Sequence, residues 1–396
     1  MLKGNAIVGQ SGGPTAVINA SLCGVVQSAQ RRSDVIGNVF GMCYGVEGLL
    51  RDELVDFSRI DPQVIEHLKS TPSSALGSCR HKLTDADFAP VLEMFKKHDI
   101  RYYFLIGGND TMDTIHRIEK YCREQGYELR GIGIPKTVDN DLFATDHTPG
   151  FPSAARYVAL SVLQSGRLAR DMKHVDQYTV FQTVGRSAGW LPAAAACAKK
   201  NEDDAPHILL LPERPFDRNR FVEEVRTAYK NYGFVSVVCG EGICYADGTP
   251  VSASATTDKF SNVEFGAMGG TSAAMMLHRI IADEFRWRGE FQVTESLQMA
   301  ASDRTVALDI EEAYACGQRA VELAVEGTSG VMVTLKRESN QPYRCSLSTA
   351  PLSEVALGEK PLPDEFICED RLFVTDACLD YLRPLVGEIP DYARLF

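Results

Sequence analysis

Short apolar runs that each end in glycine and polar residues are the feature that most restricts how this chain can fold. Three of them occupy residues 5–9, 101–106 and 131–134, and the polar ends follow at 10–13, 107–110 and 135–141. Helical spacing follows the first two runs. Strand, glycine turn and helix in repetition predict a doubly wound α/β sheet, whose ligands bind beyond the carboxyl ends of the strands.

The second half of the chain repeats this logic. Strand-like runs at 178–184, 207–211 and 233–239 close on glycine or on Pro-Glu. We therefore expect two Rossmann-like doubly wound α/β domains with an active-site cleft between them. The expected first domain comprises 1–148 with 297–352, and the second comprises 149–296 with 353–396.

The heptapeptide at 135–141 concentrates the most chemistry. Lys136, Thr137, Asp139 and Asp141 crowd into six residues just past a predicted strand end. Carboxylate, ammonium and hydroxyl groups at such a point suit a general base, an anion clamp and an orienting group. The structural alternative is a polar turn with a capping aspartate.

Other local signals are weaker. Gly12-Gly13 could present amides to an anion, with Pro14 in the first helical turn. Asp110 at a helix start could be a cap, and Asp309 with Glu312 is close to a capping box. The stretch 246–262 predicts an exposed loop, and the chain beyond 339 predicts little regular structure except a helix at 375–382.

Composition excludes several classes. A formal net charge of −12 argues against a nucleic-acid-binding protein, which needs a basic face. Eleven cysteines without a paired motif indicate reduced thiols, and no run of about 18 apolar residues predicts a membrane span. We expect a cytoplasmic protein that binds neither nucleic acid nor membrane.

Six motifs in order resemble the phosphofructokinase family, and most closely its diphosphate-dependent members. The resemblance runs from about Ala6 to Leu335. The motifs are Ser11-Gly12-Gly13, the 76–78 loop with Arg80, 107–110, 135–141, Val184-Gly185-Arg186 and Glu241.

The resemblance implies phosphoryl transfer to the 1-hydroxyl of fructose 6-phosphate, with Mg²⁺, by a homodimer or homotetramer. It implies that Asp139 is the general base, with Thr137, Lys136 and Asp110 also catalytic. The implied diphosphate-binding residues are Gly12, Gly13, Arg80 and Lys136, and the implied metal-binding residues are Asp110 and Asn109. The implied sugar-phosphate residues are Thr137, Val138, Asp139, Asp141, Val184, Gly185, Arg186, Glu241 and Arg304.

Two residues favour diphosphate over ATP as the donor. ATP-using relatives carry glycine where this chain has Asp110 and Lys136. A carboxylate at 110 would repel the α-phosphate of a nucleotide, whereas an ammonium at 136 would neutralise diphosphate. An ATP-using kinase that shifts its nucleotide is the alternative.

The expected sugar-phosphate pocket departs from the family. Met299 and Ser296 stand where relatives carry an arginine and an aromatic ring, and Gln177 stands where many place another arginine. Arg304 or Arg288 would have to compensate. Sedoheptulose 7-phosphate is therefore an alternative acceptor, and a non-catalytic regulatory subunit is the alternative of another class.

Overall fold

The chain forms two compact units, each with its own sheet. The computed structural model describes residues 2–395 except 80, 82, 254, 255 and 257–268. Unit 1 comprises Met1–Pro152 with Met299–Lys360, and unit 2 comprises Ser153–Gln298 with Pro361–Phe396. Unit 1 ends at Lys360, and Glu359 just before it forms an isolated antiparallel bridge with Leu142 of the same unit. Which ligand each unit holds stays a prediction.

The described elements are as follows. The strands are β1 (Gly4–Gln10), β2 (Ile36–Met42), β3 (Leu54–Asp56), β4 (Ile100–Gly107), β5 (Arg130–Pro135), β6 (Tyr178–Thr183), β7 (Ile208–Leu210), β8 (Val235–Gly240), β9 (Gly289–Val293), β10 (Val331–Asn340) and β11 (Tyr343–Pro351). The helices are α1 (Ile18–Gln30), α2 (Val46–Leu50), α3 (Pro62–Leu68), α4 (Phe88–Lys97), α5 (Asn109–Glu124), α6 (Phe151–Asp171), α7 (Trp190–Ala194), α8 (Arg218–Tyr232), α9 (Ala273–Phe285), α10 (Leu297–Ala300), α11 (Ala307–Glu326), α12 (Leu352–Val355) and α13 (Asp376–Val386). None of these helices is long and apolar enough to cross a membrane.

The sheet of unit 1 has the order β11-β10-β5-β4-β1-β2-β3. Its central strands run parallel, and β3 and β11 add antiparallel edges. Strand β2 lies on one side of β1 in the sheet, and β4, which follows later in the chain, lies on the other side of β1. The carboxyl ends of β1 and β4 therefore flank the switch point at which doubly wound sheets bind ligands.

Helices α1 and α11 pack against each other on unit 1 at a glycine contact. A Cβ added to Gly24 would lie 2.2 Å from the Tyr314 carbonyl oxygen, and one added to Gly317 would lie 2.2 Å from that of Ser21. The two backbones can therefore approach only because neither residue carries a side chain.

The sheet of unit 2 has the order β7-β8-β6-β9 and is parallel throughout. Every residue of β6 and β8 is buried, as expected for strands covered on both faces. The connection after β6 leads toward β7 and the connection after β8 leads to β9 on the other side, so the switch point lies between β6 and β8.

Several local predictions were wrong. Helix α1 begins at Ile18, four residues after Pro14. Helix α11 begins at Ala307, so Asp309 lies inside its first turn and accepts a hydrogen bond from the Gly150 amide at 2.8 Å instead of capping. The chain beyond 339 forms strand β11. Val251 and Ser252 of the expected exposed loop are buried, and most of 254–262 lies outside the described residues.

Candidate active site

Three neighbouring strands of unit 1 deliver the predicted motifs to one edge of the sheet. Strands β1, β4 and β5 end at Gln10, Gly107 and Pro135. The Lys136 amide donates to the Gly107 carbonyl at 3.1 Å. A Cβ on Gly108 would lie 3.9 Å from the Lys136 carbonyl oxygen, so the β4 and β5 turns are in contact.

Lys136 is a buried cation attached to the glycine turn. Its side chain is only 4% exposed, and Nζ donates to the Gly13 carbonyl at 2.6 Å. Gly12 has φ +76°, and a Cβ there would lie 3.2 Å from Nζ. Burial lowers the pKa of Lys136 to about 8, although Asp139 and Asp141 favour the ammonium form. Because α1 begins at Ile18, the positive charge beside Gly12 and Gly13 comes from Lys136 rather than from that helix.

The rest of the heptapeptide is an ordered loop. The Thr137 hydroxyl accepts a hydrogen bond from the Asp139 amide at 3.1 Å and also forms a hydrogen bond with the Asp141 side chain. Burial raises the pKa of Asp141 above its ordinary value. Asn140 is fully buried with φ +55°, a left-handed conformation that asparagine tolerates better than most residues. The loop therefore fixes two carboxyl groups, at 139 and 141, around a buried amide side chain.

The β4 turn offers oxygen ligands. Asp110 is the second residue of α5, whose N-cap position is Gly108, so Asp110 does not cap the helix. The Asn109 side-chain oxygen is buried and has no hydrogen-bond partner among the described residues. Carboxylate and amide oxygens suit Mg²⁺, which usually binds one or two carboxylates together with substrate phosphates. The donor set therefore fits this ion.

Three residues of unit 1 that the sequence singles out lie outside the loops at 107–110 and 135–141: Met299, Arg304 and Arg80. Met299 lies beside the glycine turn, because a Cβ on Gly13 would be 3.6 Å from its sulfur. Arg304 belongs to unit 1, at the end of a short helical turn, and pairs with Asp303 at 3.8 Å. Arg80 lies outside the described residues.

The predicted sugar-phosphate residues of unit 2 meet at the ends of β6 and β8. The Val184 amide donates to Gln298 Oε1 at 3.2 Å, and Gly185 has φ +109°. A Cβ on Gly242, next to Glu241, would lie 1.7 Å from the Arg186 carbonyl oxygen. Arg186 itself is exposed. Unit 2 thus places a carboxylate and an exposed guanidinium on two adjoining loops.

Sequence reasoning missed two half-buried polar side chains, Lys360 and Glu213, that hydrogen-bond these loops. Lys360 donates into the loop after the heptapeptide, and Glu213 accepts the Gly189 and Leu362 amides at 2.7 and 2.8 Å. Burial raises the pKa of Glu213. Glu213 follows Pro212 at a strand end, which was a usable signal. Lys360 lies between prolines in a segment without periodicity.

Comparison with known proteins places the chain in a family. The phosphofructokinase family profile matches residues 5–324. A pyrophosphate–fructose 6-phosphate 1-phosphotransferase of Halomonas elongata is 40% identical, covering 98% of this chain and 92% of the relative. The enzyme of the same name from Methylococcus capsulatus is 39% identical, and the match covers 100% of this chain and 96% of the relative. A crystal structure of pyrophosphate-dependent phosphofructokinase from Marinobacter aquaeolei has a TM-score of 0.88 at 38% identity, covering 98% and 94%. The chain belongs to the phosphofructokinase family.

Proposed function

We propose that the protein transfers a phosphoryl group reversibly between inorganic diphosphate and the 1-hydroxyl of fructose 6-phosphate. The observation that carries this proposal is the buried ammonium of Lys136 on the Gly13 carbonyl, 2.6 Å away. It offers compact positive charge to a donor that brings no adenosine. Relatives that cover nearly the whole chain carry this activity in their names.

The residues of this chain divide the reaction among them. Asp139 accepts the proton of the sugar 1-hydroxyl. The hydroxyl oxygen attacks one phosphorus of diphosphate, and the bond from that phosphorus to the bridging oxygen breaks, so that phosphate leaves. Thr137 and Asp141 orient the loop, and Lys136 neutralises the donor. Such positioning and charge neutralisation supply most of phosphoryl-transfer catalysis.

Sugar-phosphate binding is assigned to the loops of unit 2. Arg186 would contact the phosphate of the acceptor, and Glu241 would accept hydrogen bonds from sugar hydroxyls, with Val184 and Gly185 shaping the pocket. Asn109 and Asp110 would hold Mg²⁺, which neutralises diphosphate charge when bound. We place the enzyme in the cytoplasm as a homodimer or homotetramer.

The purified protein tests this proposal directly. It is assayed with Mg²⁺, fructose 6-phosphate and either diphosphate or ATP, and Asp139→Asn is the inactive control. Fructose 1,6-bisphosphate should form with diphosphate. Formation with ATP alone would overturn the donor assignment, and no product with either donor would favour a regulatory role.

The placement of Met299 favours one second candidate for the acceptor. A thioether cannot bind a 6-phosphate, and this one lies beside the donor loop rather than offering a cation. Sedoheptulose 7-phosphate, whose phosphate lies one carbon further along, is the second acceptor. A higher kcat/KM for it than for fructose 6-phosphate would replace the first assignment.

A further inference from the structure

Lys360, the last residue of unit 1, lies underneath the loop that follows the heptapeptide. Its ammonium donates to the carbonyl oxygens of Asp146 and Thr145 at 2.6 and 3.2 Å, and to Asn140 Oδ1 at 3.3 Å. Its backbone amide donates to the Asp141 carbonyl at 2.8 Å. One residue from near the C-terminus therefore bonds four residues of the 140–146 segment.

The same segment is closed into a ring around this ammonium. The Asn140 side chain accepts the Thr148 amide at 3.1 Å, and the Thr148 hydroxyl donates to the Thr137 carbonyl at 2.9 Å. Thr137 also pairs with Gly150 as a parallel bridge. The two ends of the ring meet at Thr137, two residues before Asp139.

We propose that Lys360 is a positioning residue of the phosphoryl-transfer site, which holds Asn140 in its left-handed conformation and so sets the direction of Asp139 and Asp141. This inference rests on the proposed function, because it assigns Asp139 the role of base. Three oxygens converge on one ammonium with three donors, so an apolar group in its place would remove three charge-assisted hydrogen bonds from the segment at once.

Charged groups from several elements face this ammonium. Asp141 and Asp146 stabilise its protonated form and Arg337 of β10 opposes it, while Glu359 acts on Asp141 from the same segment. Burial dominates and lowers the pKa of Lys360 to about 7. We call the hydrogen bonds from the Lys360 ammonium to residues 140, 145 and 146 the clamp. The ammonium is charged below this pH, and the clamp weakens above it, because a neutral amine has two donors for three acceptors.

The first test replaces the clamp and a matched lysine elsewhere. Lys199 of unit 2 also donates to two backbone carbonyls, those of Glu202 and Asp204, and burial lowers its pKa to about 8. Lys360→Met should lower kcat by about 10- to 100-fold, which corresponds to the free energy of hydrogen bonds to a charged group. The KM values for diphosphate and for fructose 6-phosphate should each change less than about threefold. Lys199→Met should leave kcat unchanged.

Hydrogen exchange separates this inference from the proposed function. Amides of 137–150 should exchange faster in Lys360→Met and not in Lys199→Met, whether or not the protein uses diphosphate. Unchanged exchange together with kcat within about twofold of the wild type would overturn the role of Lys360. An inactive wild type with faster exchange in the variant would refute the proposed function alone.

Lys360→Arg covers the case in which Lys360→Met does not fold. Arginine keeps its charge at all working pH values. The alkaline limit of kcat/KM should then move from about 7, the pKa of Lys360, toward about 8, the pKa of Lys136. A limit that stays in place in this variant would overturn the proposal.

Discussion

The charged side chains that we assign to the loop at 135–141 and to the loop at 184–186 differ in burial. In unit 1, Lys136 is buried and Asp141 and Lys360 are half-buried, and burial shifts the pKa of each toward its neutral form. In unit 2, Arg186 is exposed. Burying charge is costly and is kept where chemistry requires a tuned group. This difference supports the proposal that unit 1 carries the reaction and that unit 2 recognises the acceptor.

The largest effect should come from Asp139. Replacing it by asparagine preserves shape and removes the base, so kcat should fall by about 10²- to 10⁴-fold. Steady-state kinetics with diphosphate and fructose 6-phosphate measure this, and circular dichroism checks the fold. A fall of less than about tenfold would mean that another residue is the base.

A smaller, pH-dependent effect should come from Lys136. Lys136→Met should lower kcat/KM for diphosphate by about 10- to 100-fold at pH 6.5, roughly the value of hydrogen bonds to a charged group. The wild-type ammonium is present below its pKa of about 8 and is lost above it. The ratio of wild type to variant should therefore shrink as pH rises through about 8. A ratio independent of pH would assign Lys136 a purely structural role.

The smallest effect, and one without pH dependence, should come from Arg186. Arg186→Met should raise KM for fructose 6-phosphate by about tenfold and leave kcat nearly unchanged. A guanidinium that binds the acceptor equally well in the ground state and in the transition state affects substrate binding alone. Because arginine stays protonated, the defect should be the same from pH 6 to 9. A large loss of kcat would remove the distinction between the two units.

Sequence reasoning succeeded where neighbours in sequence are also neighbours in space. The strand ends that carry the heptapeptide and the glycine turns were predicted because each strand and its following loop are continuous in the chain. Lys360 was missed because its contacts with Asn140 and Asp146 join residues 220 and 214 positions apart, which no periodicity reports. Strand β11 was missed although Tyr343, Cys345 and Leu347 alternate with polar residues, because it is a half-exposed edge strand that contributes little to the core.

The clamp also has a consequence for biosynthesis. Asp146 leaves the ribosome 214 residues before the lysine that bonds its carbonyl. At synthesis rates of about 5 to 20 residues per second, roughly 10 to 40 s pass between the two. During that interval the nascent loop lacks its cation, while most of unit 2 is made. An incomplete chain that ends before residue 360 would thus carry Asp139 and still be unable to hold it for catalysis.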